Sequence, residues 1–162
     1  LSGLVGSEMC IRDSIWTPYF VPDQTMMAAL STAALRGVRV EVLTPANGDH
    51  PTVQWAARAH YWQVLEHGVR IFERPGPFDH SKLMLIDGQW CCLGSANWDA
   101  RSLRLNFEFN VEVYDTALST RLESLFDAAR DASNEISAMA LRARPLAIRL
   151  RDGVARLFTP IL

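Results

Sequence analysis

His80 and Lys82, separated by one residue, open a run that continues through Asp87 to Gly94-Ser95-Ala96-Asn97. If that run forms strands, His80 and Lys82 project from one face, and Asp87 has the opposite parity. Ser95 and Asn97 make a second pair of this kind. Asn106 and Glu108 make a third, off the core face of their own strand. Gly94 leaves room for a ligand to approach the backbone. Together these positions place a histidine, a cation, a hydroxyl, amides and a carboxylate on neighbouring strand ends. That set suits a phosphodiester. Histidine can attack phosphorus or pass a proton near neutral pH. Lysine and the polar donors stabilise charge on the non-bridging oxygens in the transition state. A carboxylate on the far imidazole nitrogen fixes tautomer and orientation. Lys82 is the only lysine beside fifteen arginines, which suggests that a compact ammonium is wanted there. His80 alone is more often structural, and Lys82 alone could be chance; the joint pattern reverses both readings.

The elements that must position these residues are legible around them. Ile15 to Phe20 reads as a short buried strand closed by Val21-Pro22. Asp23 suits the N-cap of a helix through MMAALSTAALR, with Gly37 at C′. VRVEVLTP (38–45) alternates and stops at proline, as a strand does. Pro51 opens a helix to about His67, and Val69 to Phe72 is another short strand. HSKLMLID and WCCLGSAN are two strands joined by the Asp87-Gly88 hairpin turn. Asn106 to Tyr114 alternates, with Phe107, Phe109, Val111 and Val113 on one face. A helix is expected from about Thr116 to Ala140, and Pro145 introduces a last basic helix. Strands alternating with helices, plus one hairpin, predict an α/β sandwich with a mixed sheet flanked by helices.

Bulk properties narrow the class. The 162 residues suffice for one globular domain with a real core, and no apolar run approaches a bilayer-spanning length. Three cysteines do not make a disulfide framework. Cys91 and Cys92, adjacent in a strand, should point to opposite faces as small hydrophobes. The net charge of -2 is uneven: five arginines face Asp152 alone beyond residue 140, so residues 1–140 carry about -6. A body of that charge argues against nucleic acid as a partner. The sequence therefore divides into residues 1–14, which have no period and include VGSEMCIRDS, similar to a translated sequencing adapter; a catalytic body, 15–140; and a basic tail, 141–162. On that reading residues 1–14 are an artefact or disordered, and the natural protein continues upstream of Ile15.

HSKLMLIDGQWCCLGSAN matches without departure the HxKxxxxDxxxxxxGSxN signature of the phospholipase D superfamily. TPYFVPD (17–23), GDHP (48–51), DARSLRLNFEFN (99–110) and the ending RPLAIRLRDGVARLFTPIL resemble the second half of bacterial cardiolipin synthases. The resemblance covers about residues 15–162. It implies an active site built from two such motifs, one from each half of a chain or from each subunit of a dimer. One histidine becomes a phosphohistidine and the other protonates the leaving alcohol; the second-motif histidine, here His80, is usually the acid. Lys82, Ser95 and Asn97 would hold the phosphate, with Asn106 beside them, and Glu108 would pair with the histidine. Asp87 belongs to the signature and is grouped with His80, Lys82 and Glu108 as catalytic, although its parity suggests a supporting role. No metal or other cofactor is needed by such chemistry, and no zinc-like ligand spacing is present.

The reaction implied is transfer of a phosphatidyl group between two phosphatidylglycerols, giving cardiolipin and glycerol. Two other readings stand beside it: a phosphodiesterase or nuclease that homodimerises around one motif, and a half-domain inert without its partner. A bacterial membrane location is implied, peripheral for this segment, with a transmembrane anchor expected in the part upstream. His50 could touch a headgroup or serve in capping, while His60 and His67 read as surface or helix-end residues. Trp55, Trp62 and Trp98 could border an acyl groove or pack in the core. Leu146, Leu150, Val154 and Leu157 fall at near-helical spacing between arginines. Such a helix either lies on an anionic bilayer or packs on the domain.

Overall fold

The computed structural model describes residues 11–158. The expected α/β sandwich is present. A seven-stranded mixed sheet runs in the order β8-β6-β5-β1-β3-β4-β9. Its centre is β1 (Arg12–Trp16), β3 (Arg39–Pro45) and β4 (Arg70–Arg74), which pair in parallel. The hairpin of β5 (Leu83–Ile86) and β6 (Trp90–Gly94) adds antiparallel to β1, and β8 (Asn110–Val113) closes that edge. At the other edge β9 (Asn134–Ile136) pairs antiparallel with β4. A two-stranded ribbon of β2 (Phe20–Val21) and β7 (Trp98–Asp99) sits apart from the main sheet.

Two apolar layers hold the sheet. On one face Ile15, Val40, Val42 and Ile71 meet α1 (Gln24–Leu35) and α2 (Pro51–Leu65) through Met27, Leu30, Tyr61 and Val64. On the other, Leu43, Phe72, Leu85 and Cys91 meet Phe126 and Ala129 of α4 (Thr116–Asp131). Cys91 is fully buried and Cys92 half-buried on the opposite face, both as free thiols, as strand parity predicts. Asp23 caps α1 by accepting from Met26 N at 2.9 Å, and Gly37 follows with φ +95°.

Four boundaries differ from the sequence reading. β1 begins at Arg12, inside the stretch set apart as 1–14, whose first ten residues lie outside the described ones. Arg12 is integral to the sheet: with Arg70 and Arg130 it surrounds the buried Glu41 carboxylate at 3.0–3.1 Å, and it also pairs with Asp127. Second, the strand expected to run on to Phe20 breaks at Thr17-Pro18 and resumes as the separate β2; proline brings no N–H to a ladder. Third, the helix expected through Ala140 stops at Asp131. Ser133 and Asn134 follow, and Ser137 caps a new helix, α5 (Ala138–Arg142), by accepting from Ala140 N at 3.0 Å. Serine and asparagine offer the backbone local partners that compete with a helix.

The fourth difference is at β8. Regular pairing starts at Asn110 rather than Asn106, and Phe107 and Phe109 are exposed instead of facing a core. β8 is an edge strand, and α4 packs over β1, β4, β5 and β6.

Candidate active site

The site lies beyond the carboxyl ends of the parallel strands, where open α/β sheets hold ligands. Register places it there. Trp16 pairs with Leu83, so the residues leading into β5 sit beside the end of β1. His80 and Lys82 precede β5 and are not themselves in regular strand. They nevertheless come together. Lys82 Nζ is 3.0 Å from His80 Nδ1, 3.3 Å from Nε2, and donates to the His80 carbonyl at 3.0 Å. An imidazole accepts such a proton only at an unprotonated nitrogen. The loop that carries His80 is braced from below: Asp79 accepts from Ser81 N at 2.9 Å and pairs with Arg74 at 2.9 Å. Burial lowers the Lys82 ammonium below its usual pKa, against the opposing pull of the Glu108 and Asp99 carboxylates.

Across from this pair, Ser95 Oγ donates to Glu108 Oε2 at 2.5 Å and accepts from Phe109 N at 2.9 Å. Asn106 Nδ2 donates to Glu108 Oε1 at 3.2 Å. These bonds, led by Ser95, hold Glu108 below the usual carboxylate pKa. Asn97 Nδ2 donates to the buried Ser102 hydroxyl at 3.2 Å. The residues expected to gather therefore do so, with two exceptions.

Glu108 reaches Ser95 and Asn106, but it makes no hydrogen bond to His80 among the described residues, contrary to the pairing the resemblance implied. Asp87 lies at the opposite end of β5 from Lys82. Its Oδ1 accepts from Ile11 N at 2.6 Å and Arg12 N at 2.9 Å, clipping the hairpin turn to the start of β1. Asp87 and Gly88 both have positive φ, +53° and +62°, as the turn requires. The catalytic grouping of Asp87 is thus corrected to a structural one, in line with its parity. Gly94 is also reassigned. A Cβ there would lie 2.3 Å from both Phe109 O and Asn110 Oδ1. Its lack of a side chain lets β6 approach β8, rather than admitting a ligand.

Sequence reasoning missed three contributors. Tyr19 and Phe78 form an aromatic wall beside His80, with ring centroids 6.0 and 5.6 Å away. Burial, then the bond from Tyr19 Oη to Asp49, raises the Tyr19 phenol pKa. Ser102 bridges Asn97 and Glu108. The available signal for Tyr19 and Ser102 was that TPYFVPD and DARSLRLNFEFN belong to the resemblance; Phe78 lies in neither stretch.

His50 is the N-cap residue of α2 but makes no side-chain cap bond; its ring lies tilted beside Tyr19, with centroids 6.2 Å apart. It lines a polar recess of about 360 Å³ with Tyr19, Asn97, Asp99, Arg101 and Asn106. Lys82 and Gly94 also form a ridge between two apolar clefts. One, of about 460 Å³, includes Met26, Leu30, Met84 and Trp98 on the α1 side. The other, of about 800 Å³, includes Trp16, Leu93, Leu122 and Leu125 on the α4 side. His60 corrects another expectation: it is buried, and neither ring nitrogen has a partner among the described residues. His67 is exposed near the end of α2, its Nδ1 2.7 Å from Gln63 O.

Fold and site together define a phospholipase D-like protein. The structure of Nuc, a phospholipase D family member from Salmonella typhimurium, matches with a TM-score of 0.69 at 18% identity, over 81% of this chain and 85% of that one. Phosphatidylserine synthase of Haemophilus influenzae Rd KW20 matches with a TM-score of 0.71 at 17% identity, over 93% of this chain and 41% of that one. Likeness at such identities speaks for the fold alone. The chain belongs to the family described as cardiolipin synthase, PLD-like domain, which matches residues 12–130. The cardiolipin synthase of Oceanobacillus iheyensis is 38% identical over 148 residues, which is 91% of this chain and 31% of that protein. The chain thus spans about a third of the length of the curated relatives it matches. No described helix is long and apolar enough to cross a membrane.

Proposed function

We propose that this chain supplies one half of a cardiolipin synthase active site, the half carrying the second motif. The observation that carries the reading is the Lys82–His80 contact at 3.0 Å facing the Ser95–Glu108 pair, with His80 open to solvent. One histidine can serve as acid or as nucleophile, but a two-step transfer asks for both. Phosphoryl chemistry also gains most from fixed donors where water is excluded, and an exposed His80 needs a covering half to provide that.

In the proposed reaction the histidine of the other half attacks phosphorus of one phosphatidylglycerol. The bond from phosphorus to the headgroup glycerol oxygen breaks, and His80 gives that oxygen its proton. A hydroxyl of a second phosphatidylglycerol then returns a proton to His80 and attacks phosphorus. The phosphorus–nitrogen bond breaks, leaving cardiolipin. Lys82 and Asn97 hold the non-bridging oxygens, and Ser95 joins them when its single hydroxyl proton turns from Glu108 to the phosphate. Asn106 and Ser95 orient Glu108, whose carboxylate offsets the Lys82 charge. The polar recess at His50 accommodates glycerol hydroxyls, and the apolar clefts beside Lys82 accommodate acyl chains.

The test replaces the matching third of the Oceanobacillus iheyensis relative with residues 12–158 and measures cardiolipin made from phosphatidylglycerol. The chimera should form cardiolipin, and His80→Ala should abolish it. Retained turnover in the variant would overturn the site assignment. The homodimeric phosphodiesterase reading has one observation in its favour: this chain carries a single histidine–lysine motif of the signature, which a second copy would complete. It predicts activity that rises with the square of chain concentration in the absence of any other half.

A further inference from the structure

α6 (Leu146–Leu157) is mounted with its leucines outward. A helix on a globular surface ordinarily turns its apolar stripe to the core. Here Leu146, Leu150, Val154 and Leu157 are 67%, 61%, 56% and 77% exposed, and the buried positions are Asp152 and Ala155. At the helical repeat the two sets point in directions about 170° apart. The buried side of α6 is instead held by charge. Asp152 is buried and pairs with Arg144 and Arg151 at 2.7 Å each. Arg151 in turn lies over the Trp55 ring, 4.2 Å from its centroid. Packing on the domain therefore does not explain the leucine stripe.

Cations flank the stripe. Arg149 sits beside it on α6, and a cleft of about 440 Å³ opens between α6 and α2, lined by Trp62, Leu150, Arg149 and Arg156 and by Glu66 and Asp152, whose carboxylates are already held in ion pairs with Arg142 and Arg144. The half-exposed Trp62 and the exposed Met139 of α5 extend the apolar surface on this side. None of these residues belongs to the His80 site. An apolar stripe bordered by arginines is complementary to the interface of a bilayer rich in anionic headgroups.

We propose that the outward face of α6 and the adjoining cleft form a second, non-catalytic phospholipid site. The leucines enter the acyl boundary of an anionic bilayer while the arginines take headgroup phosphates. The stripe would then hold the domain against the surface that contains its substrates. This assignment is independent of the chemistry at His80.

The test is co-sedimentation of the chain with vesicles of phosphatidylcholine alone, and with vesicles in which a third of the lipid is phosphatidylglycerol. The chain should bind the second kind much more tightly, and salt should weaken binding. Leu150→Glu should weaken it at least about tenfold and Arg149→Ala about fivefold, with unchanged circular dichroism because both side chains are exposed. His80→Ala should bind like the parent, so a failure of the catalytic reading would leave this result untouched. Equal binding to both vesicles, binding unaffected by either substitution, or no binding would overturn the proposal. So would a concentration-dependent dimer, broken by Leu150→Glu, that ignores vesicles; that outcome would assign the stripe to a second copy of the chain.

Discussion

Lys82 and Asp87 stand in one signature but at opposite ends of β5, and substitution should separate their roles. In the full-length chimera Lys82→Ala removes the cation nearest the phosphate and should lower kcat by roughly a hundred- to a thousandfold. Lys82→Arg should not restore the rate, because a planar fork cannot occupy the place of an ammonium packed against an imidazole edge. Steady-state cardiolipin formation measures both. Asp87→Ala should leave the rate per folded molecule nearly unchanged while lowering stability by roughly 2 kcal/mol, the scale of charge-assisted bonds to two backbone amides. Urea denaturation of the chain reads that loss. Side-chain parity and motif spacing made this division legible in advance. They could not reveal Tyr19 or Phe78 beside His80, because those contacts arise where separate loops meet. Nor could they show that Glu108 would turn to Ser95 and Asn106, since its partners come from β6 and the approach to β8.

At the scale of elements, Gly94→Ala tests how β6 and β8 approach each other. The added methyl meets backbone oxygen and Asn110, which must move. Overpacking of this kind costs roughly 1–3 kcal/mol, and the Ser95–Phe109 bonds should loosen with it, visible as faster amide exchange at Phe109. A second element-level prediction concerns α2. Burial, and then the charge of Arg156, depress the His60 pKa from 6.5 to about 4. The unfolded chain therefore binds this proton first as pH falls. Stability from this group is complete above the unfolded pKa of 6.5, declines towards about 4, and changes no further below that. The loss amounts to at most roughly 3 kcal/mol. His60→Leu should flatten that part of the stability–pH curve, as followed by denaturation midpoints. Most elements were readable from caps, turns and alternation: Asp23, Gly37, Pro51 and the Asp87-Gly88 turn all mark real boundaries. The failures fall where tertiary context decides. Ser133 and Asn134 can end the helix locally, but nothing local indicates that the chain beyond Asp131 will pair with β4, or that Arg12 will meet a buried glutamate on β3.

Among the described residues of the whole molecule, the site is open and β8 leaves a sheet edge unpaired. Purified alone, the chain should form no detectable cardiolipin from phosphatidylglycerol vesicles by mass spectrometry; robust formation would contradict the half-site reading. The bare edge has its own expected consequence. β8 ends the sheet, and Phe107, Phe109 and Tyr114 are 107%, 75% and 79% exposed beside it. Unpaired edge strands with apolar neighbours recruit other chains. The weight-average mass of the isolated chain, measured by light scattering, should therefore rise with concentration, and Phe107→Lys with Phe109→Lys should hold it at the monomer value.

The solitary lysine also makes the site chemically addressable. Apart from the chain's α-amino group, Lys82 carries the only primary amine in the sequence. Its lowered pKa leaves more of that amine unprotonated than an ordinary surface lysine would have at the same pH. An amine-selective acylating reagent should thus behave as a site-directed label. The mass added to the peptide containing Lys82, with and without a phosphate ester present, would report occupancy of the site even in a chain that turns nothing over.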